Sequence, residues 1–140
     1  MNGRRNSDRP ASGERPGVQT TLKWGTATVW LVFGVIFKIL GLVPRHRMIV
    51  ASIVGAAAAG PVTVLIGGVE TAVGLWILTG FKPRACAAVQ TVAIVSMNVL
   101  ELGLARDLLL SPVLMLCGNA VLLCLVWYWA LHASTAARSL

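Results

Sequence analysis

Four stretches of about twenty apolar residues dominate the chain, each long enough to cross a bilayer as a helix. Three of them carry a charge: Lys38, Glu70 and Glu101. A charge at the centre of a membrane helix costs about 3 kcal/mol or more unless it is paired, protonated or facing water. Glu70 lies deepest, in the middle of GPVTVLIGGVETAVGLWILTG. An ordinary soluble domain carries about 25% charged residues. This chain of 140 residues carries 12%, with 56% hydrophobic. That leaves too little polar surface to enclose so apolar an interior. Lipid is therefore the expected solvent. The expected fold is all-α, a polytopic membrane four-helix bundle.

The spans are expected near residues 24–43, 61–80, 84–104 and 108–131. Pro61 and Pro112 suit helix starts, where a missing N–H costs nothing. Gly80-Phe81-Lys82-Pro83 has the chemistry of a tight turn. Residues 48–80 form one apolar run, which as a single helix would be ~50 Å long. That is too long for one crossing and too short for two. Residues 46–59, HRMIVASIVGAAAA, are therefore expected to form a short interfacial or re-entrant helix between spans one and two. Residues 1–21 are polar and rich in Gly, Pro, Ser and Arg, the composition of a disordered basic tail. The four-helix transmembrane domain is expected over 22–133, and 134–140 form a short C-terminal tail. The first apolar run starts too late for a signal peptide, and Lys38 interrupts it.

The net charge of +7 does not describe a nucleic-acid surface. The basic residues fall at the ends of apolar runs, so no nucleic-acid partner is expected and membrane lipid is. Positive charge sets topology instead. With the N-terminus inside, cytoplasmic segments hold Arg4, Arg5, Arg9, Arg15, Lys23, Lys82, Arg84 and Arg138, whereas the outer loops hold only Arg45, Arg47 and Arg106. A multi-pass protein of the plasma or inner membrane is expected, with both termini cytoplasmic.

On that topology Lys38, Glu70, Asn98, Glu101 and Asn119 all fall in the outer half of the bundle, and these five are the candidate ligand-binding or proton-handling residues. Trp30, Gly34, Lys38 and Gly41 share one helix face by their 4-4-3 spacing, as do Gly67, Glu70 and Gly74. Glycines on these faces let neighbouring helices approach closely. Lys38 can pair with Glu70 or with Glu101. One cation against two carboxylates calls for a protonated carboxyl group, or for Arg106 or Arg47 entering from a loop. The same groups also serve a structural reading, in which an ion pair and asparagine hydrogen bonds fix helix register. His46, beside two arginines, is expected to be an exposed loop histidine. Cys86, Cys117 and Cys124 form no CxxC and are expected to be buried small hydrophobes.

The segments FGVIFKILGLVP, GGVETAVGLWILTG, QTVAIVSMNVLE and DLLLSP, followed by Asn119 in the last span, resemble the DoxX-like family over roughly residues 24–130. The resemblance implies a four-helix integral membrane protein with the segment between the first two helices outside. It also implies a link to redox biology, since relatives include the small subunit of a thiosulfate:quinone oxidoreductase and a protein of a membrane-bound oxidative-stress complex. An accessory subunit of such an assembly is the expectation, with an outward-facing polar cavity for a quinone or another small molecule. No independent catalytic activity is expected. Without a CxxC or a histidine pair in a span, neither metal nor haem is expected. A structural membrane partner without a ligand and a small proton-coupled transporter are the alternatives. Redox-complex subunits and a second copy of the chain are the candidate protein partners.

Overall fold

A computed structural model of the protein describes residues 16–136. Helix α1 (Pro16–Leu31) runs without a break into a π-helical stretch, Val32–Ile39. Helix α2 (Pro44–Val54) is short, and α3 (Ala56–Thr79), α4 (Pro83–Leu104) and α5 (Pro112–Ala136) are long. A single 3₁₀ turn, Arg106–Leu108, links α4 to α5. Four helical stretches have the length and apolar character to cross a membrane: Gly17–Ile39, Ala56–Thr79, Pro83–Leu104 and Pro112–Ala133. The expected four-helix membrane architecture is therefore present, with α2 as the short extra helix.

The boundaries differ from expectation at three places. The first span begins at Gly17 and ends at Ile39, not 24–43. Pro16 opens α1, so residues 16–21 of the expected tail are helical, while residues 1–15 and 137–140 lie outside the described residues. The break before the second span falls at Gly55, not at Gly60-Pro61. Gly55 has φ +87° and ψ 155°, which favours glycine, and its carbonyl accepts from Ala59 at 3.1 Å to start α3. Pro61 lies inside α3, near enough to the start that only the Ala57 carbonyl loses its partner. The last span starts at Pro112, not at 108. Ser111 caps it, its Oγ accepting from the Leu114 N–H at 3.3 Å.

Lipid tails are as apolar as leucine, so membrane helices associate by close packing and polar contacts. Both are present. Helix α3 packs along α1 and its π-helical continuation, α4 packs on α5, and α5 closes back on α1. The inward face of α3 is the row Thr63, Gly67, Glu70, Gly74 and Ile77, at four- and three-residue spacing. Gly34 and Gly67 form the crossing point. A Cβ on Gly67 would lie 2.7 Å from the Gly34 carbonyl oxygen and 2.9 Å from the Lys38 Cβ. The expected stripe of Trp30, Gly34 and Lys38 is buried, but Gly41 is exposed because the helix has already ended. The packed core of Ala27, Trp30, Ile77, Ala87, Val126, Trp129 and Ala130 occupies the end of the bundle away from α2. There Trp30 donates its Nε1–H to the Oε1 of Gln90 at 2.8 Å, tying α1 to α4. Lys23 donates to the Leu78 carbonyl at 3.3 Å, near the C-terminal end of α3.

Of the three cysteines only Cys86 is buried; Cys117 and Cys124 are exposed on α5. The expectation that all three are buried is therefore corrected for these two. Within its span helix α5 is apolar apart from Asn119, so its hydropathy does not mark which face turns inward.

The crossing gives a direct test. Gly67→Ala is expected to destabilise the protein by about 1–3 kcal/mol, because the methyl group meets backbone. Gly68→Ala, whose methyl group meets open space, is expected to be neutral or slightly stabilising. Thermal melting in detergent compares them, and equal melting temperatures would count against the close crossing.

Candidate functional site

The π-helical turn matters for chemistry because Lys38 stands near its end. Its hydrogen bonds skip five residues, as in Leu40 N–H to the Val35 carbonyl at 2.8 Å. In this wider coil residues four and five apart nearly superpose, so Gly34 and Lys38 both face α3. One turn along α3 from the Gly67 crossing stands Glu70. The Lys38 Nζ donates to the Glu70 Oε1 at 2.5 Å. Both side chains are only 6% exposed, so this ion pair is shut away from solvent. The second carboxylate oxygen, Oε2, is buried and has no hydrogen-bond partner among the described residues.

The pair forms one wall of a cavity of about 550 Å³ at the α2 end of the bundle. That volume is in the range of small-molecule sites. The other walls are Val29 and Trp30 from α1, Phe33 from its π-helical continuation, Ile94, Met97, Asn98 and Glu101 from α4, and Leu114, Met115, Gly118, Asn119 and Leu122 from α5. Leu109–Ser111, the non-helical link left by the late start of α5, lies at the rim, and Arg45, His46 and Ile49 of α2 complete the lining. Asn119 donates its Nδ2–H to the Oδ1 of Asn98 at 2.6 Å, joining α5 to α4.

All five candidate residues line this one cavity. Two direct contacts join four of them: Lys38 with Glu70, and Asn119 with Asn98. Glu101 is half-buried nearby, and Lys38 pairs with Glu70 rather than with it. The arginine on the cavity is Arg45, not Arg47 or Arg106. Residues two apart on a helix do not share a face. With α2 starting at Pro44, Arg45 turns to the cavity while the Arg47 guanidinium lies against Gly60, 3.6 Å from where a Cβ would stand. The earlier helix start also draws in His46. It is half-buried, not an exposed loop residue, with ring centroids 5.6 Å from Phe37 and 6.1 Å from Phe33. The Val-Pro-Arg-His sequence, with proline at the first helical position, is the signal that marks this turn.

No group of three or more His, Cys, Asp or Glu side chains is placed to hold a metal among the described residues. The cavity offers instead one buried ion pair, one free carboxylate oxygen, an amide pair and two further charges near its edge. Most of the remaining lining is aliphatic or aromatic. Such a site can grip a small polar group by hydrogen bonds and exchange a proton with it, while holding an apolar body by packing.

A four-span helical membrane protein with a charged cavity at one end of the bundle is the class that fold and site define. The DoxX-like family model matches residues 27–127, and the chain belongs to that family. No curated protein and no solved structure matches it.

His46 lies outside the spans, and its protonation has a predictable sign. Burial first, then the Lys38 charge, pulls its imidazole below the usual 6.5, with Arg45 adding to this and the Val43 carbonyl opposing. The folded protein thus binds this proton less readily than the unfolded chain. The stabilisation is full above 6.5 and is lost as pH falls below it. Melting temperature in detergent is expected to drop between about pH 7.5 and pH 5.5, and His46→Phe should flatten the drop. An unchanged slope in the variant would assign the effect to other groups.

Proposed function

We propose that this DoxX-like protein is an accessory subunit of a membrane redox or oxidative-stress assembly, and that its cavity receives a quinone headgroup or another small polar molecule. The observation that carries this is the buried Lys38–Glu70 pair with one carboxylate oxygen left unpartnered beside a cavity. Ionisable groups at membrane depth are costly, and they typically mark ligand or proton sites. Lys38 and Asn119 are the donors in this reading, and Glu70 is the proton acceptor. A structural role without a ligand draws on the same ion pair. It gives no use for the free oxygen or for the volume beside it.

The distribution of Arg and Lys supports a plasma or inner membrane orientation with both termini cytoplasmic and the cavity facing out. Reporter fusions at residue 140 and in the 82–84 turn are expected to read as inside, and an outside signal at either would reverse or break this topology. Partner subunits, or a second copy of the chain, are to be sought by purification in gentle detergent.

Glu70→Gln tests the site. The amide is nearly isosteric and still accepts from Lys38, so the variant is expected to insert and fold, though it melts below the parent because the buried Lys38 ammonium loses its counter-charge. It is also expected to fail to restore resistance to oxidative stress in a strain lacking the protein. A stable Glu70→Gln protein with full function would leave only the structural role.

A further inference from the structure

We infer that the cavity takes a membrane-soluble amphiphile whose headgroup donates a hydrogen bond, a hydroxyl-bearing molecule with an apolar tail, and that it reaches Glu70 from the lipid between α1 and α5. This rests on reading the cavity as a ligand site, and it narrows the ligand's chemistry.

The donor follows from Glu70. The Lys38 ammonium donates to Oε1 in an ion pair, which leaves Oε2 as the oxygen without a donor. An ionised carboxylate only accepts hydrogen bonds. Oε2 is buried in a residue 4% exposed, and nothing among the described residues donates to it. A buried acceptor without a donor is costly. A headgroup presenting only carbonyl oxygens leaves that oxygen unmet, whereas a hydroxyl meets it. Sites built to hydrogen-bond a hydroxyl discriminate strongly against analogues that lack it.

The tail and its route follow from how α1 and α5 meet. The buried residues they contribute to the core, Ala27, Trp30, Val126, Trp129 and Ala130, lie toward the end away from α2. Toward the α2 end the cavity walls are apolar and open outward. Phe33 is 42% exposed and Leu114 is 72% exposed. A side chain on Gly118 would meet open space. Both helices carry the length and hydropathy of membrane spans, so this opening faces lipid. A polar floor beneath an apolar cleft suits a molecule that is polar at one end only.

The test uses the full chain in lipid nanodiscs, kept anaerobic, with calorimetric titration and empty nanodiscs subtracted. The probes are decylhydroquinone, decylbenzoquinone, 4-decylphenol and tail-less hydroquinone. The decylhydroquinone and decylphenol are expected to bind at least about tenfold more tightly than the decylbenzoquinone. Tail-less hydroquinone should bind at least about tenfold more weakly than its decyl counterpart, since each buried methylene adds to binding. In Glu70→Gln the preference for hydroquinone over quinone should shrink to within about twofold. Gly118→Leu narrows the cleft without touching the polar floor. It should weaken every tailed probe at a melting temperature no lower than the parent's, and it carries the test if Glu70→Gln does not fold.

Equal or tighter binding of the benzoquinone by the parent protein overturns the donor requirement and leaves the cavity standing as a ligand site. Undiminished binding of tailed probes by Gly118→Leu overturns the lipid route. Failure of all four probes to bind overturns the inference and the ligand-site reading together.

Discussion

The Lys38–Glu70 ion pair is the contact around which the rest of the bundle is arranged. Two opposite charges taken out of water cost more than their attraction returns unless their geometry is good and their remaining hydrogen-bonding capacity is met. The fold supplies the geometry through backbone proximity. Gly34 and Gly67 let the π-helical continuation of α1 touch α3 at the turn beside the pair, and that stretch keeps Lys38 on the face that Gly34 defines. A larger residue at either glycine would move the two helices apart. The remaining capacity is met only in part, because one oxygen of Glu70 has no donor among the described residues. That shortfall is the observation on which the proposed ligand role rests.

The far end of the bundle is built differently. There the Trp30–Gln90 hydrogen bond and small residues such as Ala27, Ala87 and Ala130 pack the helices closely. A dense end and an open end follow from residue size. Alanines, aliphatic side chains and two tryptophans, Trp30 and Trp129, fill the first. At the second the late start of α5 and the arrival of α2 leave a space lined by Lys38, Glu70, Asn98, Glu101 and Asn119. Stability and a ligand-sized cavity are thereby assigned to opposite halves of one short bundle.

Much of this is legible in the chain. Hydropathy marks four spans because nothing else about runs that apolar makes sense in water. The rarity of charge in lipid picks out Lys38, Glu70 and Glu101, and the structure brings all three to one cavity. Helical spacing places Gly34 with Lys38 and Gly67 with Glu70 on facing surfaces. What was not legible depends on single backbone torsions. The φ of Gly55 moves the start of α3 back by about a turn and ends α2 at Val54. The start of α2 at Pro44 then decides that Arg45 and His46 face the cavity while Arg47 does not. The outward positions of Cys117 and Cys124 were hidden for another reason. Within its span helix α5 is apolar all round apart from Asn119, so its hydropathy does not orient it.

The central claim is that Lys38 and Glu70 are energetically coupled inside the bundle. A double-mutant cycle in detergent measures that coupling most directly, comparing Lys38→Met, Glu70→Gln and the two combined with the parent protein. Lys38→Met alone strands a buried carboxylate and should cost on the order of 3–5 kcal/mol. The combined variant should recover much of that loss, because the charge that needed a partner is gone. If the single losses simply add, to within about 0.5 kcal/mol, the two side chains are not coupled and the pair does not organise the structure.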